Sequence, residues 1–321
     1  MKKIVIIGAN SFQNPLILKA KEMGYETHVF AWKDGSIGER TADYFYPVSI
    51  VEKEAILEEC RKIQPDAVAT IASDLANITV QYLAEQLGLP HNSAECIYIS
   101  TNKYAMREAF AKHGVPTPGF VSVKEGDDYE AAVAHMQFPM IVKPTDRSGS
   151  RGIMRVECME EIAPAVTEAV RNSFEKKAII EEYIEGNEYS CECISYQGKH
   201  HVLAVTKKYT TGYPHFIETG HMEPPELSET EMDHVKEFIP KALDALEIEN
   251  GASHSEFKLD ADGNVIGQRE DDDVQNGWYI GHAIDEIYDY KWIGVWQLGE
   301  ELEAAKYGKQ PGDPRLLDVN N

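Results

Sequence analysis

Basic residues are scarce in this sequence: 31 Lys and Arg stand against 54 Asp and Glu, a formal net charge of -23 over 321 residues. A surface of that sign repels nucleic acid and anionic membranes, so neither is an expected partner, and any anionic ligand needs a pocket where cations are gathered locally. Long apolar runs are missing too. No window of about 18 uncharged apolar residues occurs, which argues against a membrane-spanning helix. The opening segment MKKIVIIGAN has too short an apolar part for a secretory leader and carries no cleavage pattern. The expected location is therefore cytoplasmic. Cysteines are few and odd in number: Cys60, Cys96, Cys158, Cys191 and Cys193 form no CxxC pair, which fits buried thiols in a reducing compartment better than a disulfide framework. Glycine is lacking where a dinucleotide fingerprint would need it, because Ile7-Gly8-Ala9-Asn10-Ser11-Phe12 offers one glycine where GxGxxG has three. Internal repeats and low-complexity segments are absent, which excludes a solenoid.

What is present is alternation. Lys3 to Ile7 is a β-branched run closed by Gly8, followed by a helical pattern from Asn14 to Met23 and a second strand from Thr27 to Ala31. Helix over Glu52 to Ile63, strand over Ala67 to Ile71 and helix over Leu75 to Leu87 continue the series, which implies a parallel, Rossmann-like α/β sheet covered by helices. Its end is expected after the Gly-Leu-Pro-His-Asn turn, giving a first domain over 1–97. From Thr101 the texture changes to an α+β region: a helix over Lys103 to His113, strands separated by charged loops, and a final helical stretch from Asp285 to Gly308. Cys191 and Cys193, two apart in a strand-like run, are expected to share a face.

Three segments of this second region carry chemistry. Phe138 to Pro144 reads as a strand ending in Lys143 and runs into the small-residue loop Thr145-Asp146-Arg147-Ser148-Gly149-Ser150-Arg151-Gly152. Such a loop can turn consecutive backbone N–H groups toward a phosphate, with the lysine charge beside it, although an ordinary hairpin has the same composition. Ala178 to Glu182 reads as an apolar strand leading through Tyr183, Ile184 and Gly186 to Glu188, which suits a nucleoside: strand-end groups for the base, Glu188 for the ribose. Glu182 and Glu185 also fit acids that merely solvate a turn. Ser253 to Leu259, the turn Asp260 to Asn264 and a return strand to Glu270 form a hairpin that sets Glu256 beside a residue near Glu270. Paired carboxylates on rigid strands can hold Mg²⁺ between phosphates.

Taken in order, Thr101-Asn102-Lys103, Val142-Lys143-Pro144 with its Ser-Gly loop, Glu181-Glu182-Tyr183-Ile184 with Gly186-Asn187-Glu188, and His254-Ser255-Glu256 resemble the ATP-grasp superfamily of ligases over roughly residues 102–280. The resemblance implies an ATP-grasp fold over 98–321, with a small ATP-binding subdomain about 118–184 and a large one about 185–308. It implies ATP and Mg²⁺ as cofactors, with Mn²⁺ as a substitute, and small-molecule carboxylate and amine substrates, and it leaves room for a homodimer. By position, Lys103 and Lys143 would meet phosphate, and Ser148, Gly149, Ser150 and Gly152 would close over it. Glu181, Tyr183 and Ile184 would hold adenine, Glu188 the ribose, and Glu256 and Glu270 the metal. Arg151, Glu218 and His221 would serve catalysis, the last two because His215-Phe216-Ile217-Glu218-Thr219-Gly220-His221 is similar to a segment of the L-amino-acid ligase branch; a loop histidine is the plainer reading of His221. One departure stands out. The family's arginine four residues after the second metal carboxylate is matched by Val274, within the acidic run Glu270-Asp271-Asp272-Asp273, leaving Arg269 as the nearby cation. The last residue, Asn321, falls where longer family members carry a further subdomain, so a lid is expected to be absent or supplied by a partner.

Overall fold

A computed structural model describes residues 1–147, 152–211, 218–260, 263 and 265–267. Ser148, Gly149, Ser150, Arg151, Glu270, the acidic run, Val274 and the expected helix over 285–308 lie outside the described residues.

The first part alternates as its sequence pattern requires: β1 (Lys3–Ile7), α1 (Asn14–Glu22), β2 (Glu26–Phe30), α2 (Gly38–Thr41), β3 (Tyr44–Tyr46), α3 (Lys53–Ile63), β4 (Ala67–Ala69) and α4 (Asp74–Leu87). The four strands are parallel, in the order β3-β2-β1-β4. β1 explains the arrangement. Its alternate residues Ile4 and Ile6 pack with Leu16 and Ile17 of α1, while Val5 and Ile7 pack with Ile56, Leu57 and Leu83 of α3 and α4. A parallel sheet covered on both faces needs such a continuous apolar run. Ser73 caps α4 by accepting from the Ala76 N–H, and Gly88 ends it in the left-handed conformation.

Two helices follow, α5 (Ala94–Thr101) and α6 (Lys103–Lys112), the latter capped by the Asn102 side chain on the Ala105 N–H. Next come β5 (Phe120–Val123), α7 (Tyr129–Ala132), β6 (Met140–Pro144), β7 (Met154–Val156), α8 (Met159–Asn172) and β8 (Ala178–Glu182). Their strands form an antiparallel sheet in the order β5-β8-β6-β7, backed by Ile162, Val166 and Val170 of α8.

The remaining strands are β9 (Asn187–Tyr196), β10 (Lys199–Thr210), β11 (Glu218–Met222), β12 (Gly251–Leu259) and β13 (Val265–Gly267), with α9 (Glu229–Ala245) between β11 and β12. They make an antiparallel sheet in the order β11-β10-β9-β12-β13. Tyr189, Cys191 and Cys193 of β9, Val205 of β10, and Phe257 and Leu259 of β12 point to one face. There they meet Phe110 of α6 and Val235, Ile239 and Leu243 of α9. Cys191 and Cys193 share that face, as their spacing predicts, with sulfurs 3.9 Å apart and no disulfide. A clasp joins this sheet to the first part: the Asn92 side-chain Oδ1 accepts from the N–H groups of Glu249 and Asn250, and its Nδ2 donates to the Asn250 backbone carbonyl.

Candidate functional site

Lys143 lies on β6 with its side chain 1% exposed, a burial that a lysine tolerates only with a partner. That partner is Glu181 on β8. Register pairs Ile141 with Glu181, so Lys143 and Glu181 sit diagonally on one face of the sheet. One carboxylate oxygen takes Lys143 Nζ at 2.7 Å and the other takes Arg107 Nε at 2.6 Å. Burial pushes the Glu181 carboxyl up, but Arg107 and Lys143 overcome it and hold it down at about 2. Four residues before Arg107 on the same face of α6 stands Lys103. Its N–H donates to the Thr145 carbonyl at 2.8 Å, and its ammonium donates to the Arg147 carbonyl. Arg107 and Lys143 thus close on one carboxylate, and Lys103 stands one helical turn from Arg107 at the entrance to the small-residue loop, a local gathering of positive charge of the kind an acidic chain needs for an anion. Gly152, where description resumes after the loop, has φ +73°, and a Cβ there would sit 3.0 Å from Asn172 of α8.

Glu181, expected at the adenine, has its two carboxylate oxygens facing Arg107 and Lys143. Arg107, 74 residues away in sequence, escaped notice because only the fold brings it to β8. Glu182 has a structural part as well, accepting from the N–H groups of Gly119 at 3.2 Å and Gln137 at 2.9 Å. Beyond it, the Tyr183 ring lies under the Arg155 guanidinium, 4.4 Å from centroid, and 4.8 Å from Lys258 Nζ, which also donates to the Ile184 carbonyl at 3.1 Å. Lys258 belongs to β12, so these contacts seat the end of the small sheet against the five-stranded one.

The second face of the five-stranded sheet is the most unusual surface in the molecule. Its residues fall into rows across the strands. Lys258, Glu188, Lys208 and His221 stand opposite one another on β12, β9, β10 and β11. Glu256, Ser190 and Thr206 form the next row, and His254 and Glu192 the one after. Lys258 is 2% exposed, Glu192 5% and Lys208 8%: these are buried charges, not a solvated surface. They are paired accordingly. Lys258 meets Glu188 at 3.3 Å, Lys208 meets Glu256, and His254 donates Nδ1–H to Glu192 at 2.7 Å while its Nε2 lies 3.5 Å from Glu256. Burial pushes Glu256 up, yet Lys208 and His254 hold it at about 2, and Glu192 and Glu256 outweigh the burial of His254 to raise it to about 10. Glu218 stands opposite Thr210 across an irregularity in the β10–β11 ladder.

Among the described residues no three His, Cys, Asp or Glu side chains cluster as a metal cage, and no described helix is long and apolar enough to cross a membrane. A cavity of about 160 Å³ opens between α4, α5, α9 and β12, lined by Asn77, Gln81, Phe238, Leu243 and Ser253. Its lining also takes in His254 and Glu256, so it reaches the charged rows.

Glu192, Lys208 and Lys258 were not foreseen. Their signal was present as polar residues alternating with Tyr189, Cys191, Val205 and Phe257, a pattern that ordinarily marks a solvent face.

Residues 136–268 match the family model of the ATP-grasp domain. Over 118 residues the chain is 32% identical to a D-alanine–D-alanine ligase of Ralstonia pickettii, covering 36% of this chain and 35% of that protein. It is 27% identical to an alanine–anticapsin ligase of Bacillus subtilis, covering 89% of this chain and 66% of the relative. The chain thus spans between about a third and two thirds of the length of these curated relatives. Its fold is similar to the crystal structure of an L-amino acid ligase from Bacillus licheniformis, with a TM-score of 0.73 at 23% identity over 95% of this chain and 74% of that one.

Proposed function

We propose, on the premise that this chain belongs to the ATP-grasp superfamily, that it is an ATP-dependent ligase that activates a carboxylate as an acyl phosphate and joins it to an amine, with amino acids as the substrate class. The observation that carries this is the buried charged face of the five-stranded sheet. Paired ions bought out of water are a poor way to stabilise a fold, so a sheet that keeps them is built to meet a polar ligand. In this proposal the chain divides near residue 97, and the nucleotide lies between the small sheet and the charged rows.

Lys143, oriented by Glu181, and Lys103 would neutralise phosphate oxygens. The loop 148–152 would add backbone N–H groups, with Arg151 beside it. Main-chain groups at Tyr183 and Ile184 would hold the adenine and Glu188 the ribose. The donor set fits a hard divalent cation, because Glu256 is buried, ionised and oxygen-only. Mg²⁺, or Mn²⁺ in its place, would be held by Glu256 together with Glu270, and when bound it screens phosphate charge. Glu218 and His221 would border the reacting groups. The γ-phosphoryl group passes to the substrate carboxylate; the amine, after its ammonium form has given up one proton, attacks the carbonyl carbon, and phosphate leaves as the nitrogen loses a second proton to become the amide. Positioning and charge neutralisation, without a covalent enzyme intermediate, supply the catalysis.

Similar proteins named for alanine ligation support the amino-acid class. The test is ADP release with Mg²⁺-ATP against paired panels of amino acids and small carboxylates. Release that needs both an acid and an amine is expected; no turnover with any pair, together with no Mg²⁺-ATP binding, refutes the proposal. Lys143→Ala is expected to weaken nucleotide binding at least roughly tenfold, the scale of one charge-assisted contact.

Val274 at the family's arginine position favours a second reading, a nucleotide-binding homologue with lost ligase activity. That reading predicts tight Mg²⁺-ATP binding without turnover, and activity awakened by Val274→Arg. A carboxylase-type or purine-pathway-type member of the superfamily would instead show ATP hydrolysis that depends on bicarbonate.

A further inference from the structure

Two glutamates on the charged face have no part in the nucleotide scheme. Glu192, at the centre of the sheet, uses one carboxylate oxygen to accept from His254 at 2.7 Å; its other oxygen is buried and has no hydrogen-bond partner among the described residues. Glu223 follows directly on β11 and leans over β10, where its carboxylate accepts a long hydrogen bond of 3.4 Å from the Thr206 hydroxyl. Thr206 is the register partner of Ser190, two residues along β9 from Glu192 and on the same face. The two carboxylates are close enough for the charge of Glu192 to act on Glu223, and His254, which pairs with Glu192, also faces Glu256. The Glu223 carboxyl is pushed up to about 7, first by burial and then by the charge of Glu192.

Resting on the ligase reading above, we propose that Glu192 and Glu223 form the subsite that takes the ammonium group of the amine substrate. An ammonium has three donors and a full charge. It would satisfy the orphan oxygen of Glu192, supply Glu223 with the cation it lacks, and relieve the repulsion between them. The position suits the reaction. Glu192 and His254 lie one row from Glu256, two residues along the strands and so about 6–7 Å away, which places an amine next to the phosphate-bearing end of the nucleotide without competing for the metal carboxylate. The pair would make the protein discriminate in favour of substrates with a charged amine and against isosteres lacking it.

L-alaninamide and propanamide, which differ only in that ammonium, separate the cases when their binding to the full chain is measured by ligand-observed NMR in the presence of Mg²⁺-ATP. Wild-type protein is expected to bind L-alaninamide and not propanamide. Glu223→Gln, which keeps the shape and removes the charge, is expected to lower that affinity roughly tenfold or more, the scale of one hydrogen bond to an ion, while leaving Mg²⁺-ATP affinity unchanged. Glu223→Asp should restore part of it. Wild-type protein that fails to distinguish the two amides, including one that binds neither, overturns the assignment, as does a Glu223→Gln protein with unaltered L-alaninamide affinity. The ligase reading fails separately, by absence of ADP release with every acid and amine pair.

Discussion

The parallel sheet at the start of the chain and the five-stranded sheet near its end bury similar strands in opposite ways. From Ile4 to Ile7, β1 is apolar on both sides and packs against helices on both, so each of these four side chains contributes to the core. β9 and β12 are apolar on one side alone. Their other side is largely out of water as well, yet it carries the buried Glu192 and Lys258 and the partly buried Glu188, Glu256 and His254. Hydrophobic burial at about 25 cal/mol per Å² would stabilise that second face better than ion pairs do. The first sheet is therefore a scaffold, and the second gives up stability for a surface that can grip charge.

The sharpest way to break this comparison is Glu181→Ala, which leaves Arg107 and Lys143 buried without their counter-ion. A loss of roughly 3–5 kcal/mol in denaturant unfolding is expected, the range for removing one partner of a buried pair. Acid should act through the same carboxylate. Its folded value of about 2 lies below the ordinary 4.5, so its contribution is complete above about pH 4.5 and is lost as pH falls toward 2. Thermal melts across that window should show the fall in wild type and a flatter profile in Glu181→Gln. Glu223 has the opposite sign: raised to about 7, it favours the fold while protonated, and that contribution is lost as pH rises through 7, a slope that Glu223→Gln should remove. Within the scaffold sheet, Ile6→Val should cost roughly 0.5–1.5 kcal/mol and leave nucleotide affinity unchanged. Smallest of all, Lys62→Ala, which breaks an exposed pair with Glu59, should leave the melting temperature where it was.

Much of the architecture was legible beforehand. Lys3 to Ile7 could only be a strand buried on both faces, and the helices over 53–63 and 74–87 lie within a residue of their expected limits, because local pattern and tertiary packing agree there. β3 was missed: three residues, Tyr44 to Tyr46, are too few to establish a period. At the site, Lys143, Glu188 and Glu256 were picked out by motif order, yet what each touches was not. Lys208 pairs with Glu256 across 48 residues and Arg107 with Glu181 across 74, contacts fixed by strand register and helix placement, which no local window contains. Glu192 was hidden for a different reason, since alternation looks the same whether its polar side meets solvent or a ligand cleft.

The two-residue alternation of β12 makes it intolerant of any change in length. Deleting one residue upstream of Phe257 would rotate the whole ribbon by half a turn, delivering Glu256 into the aliphatic interior and the phenyl ring to the ions on the other side. An added or removed residue is therefore expected to be tolerated in a connection such as the Gln197–Gly198 turn and not within the strand, whose residue types can change more freely than its length.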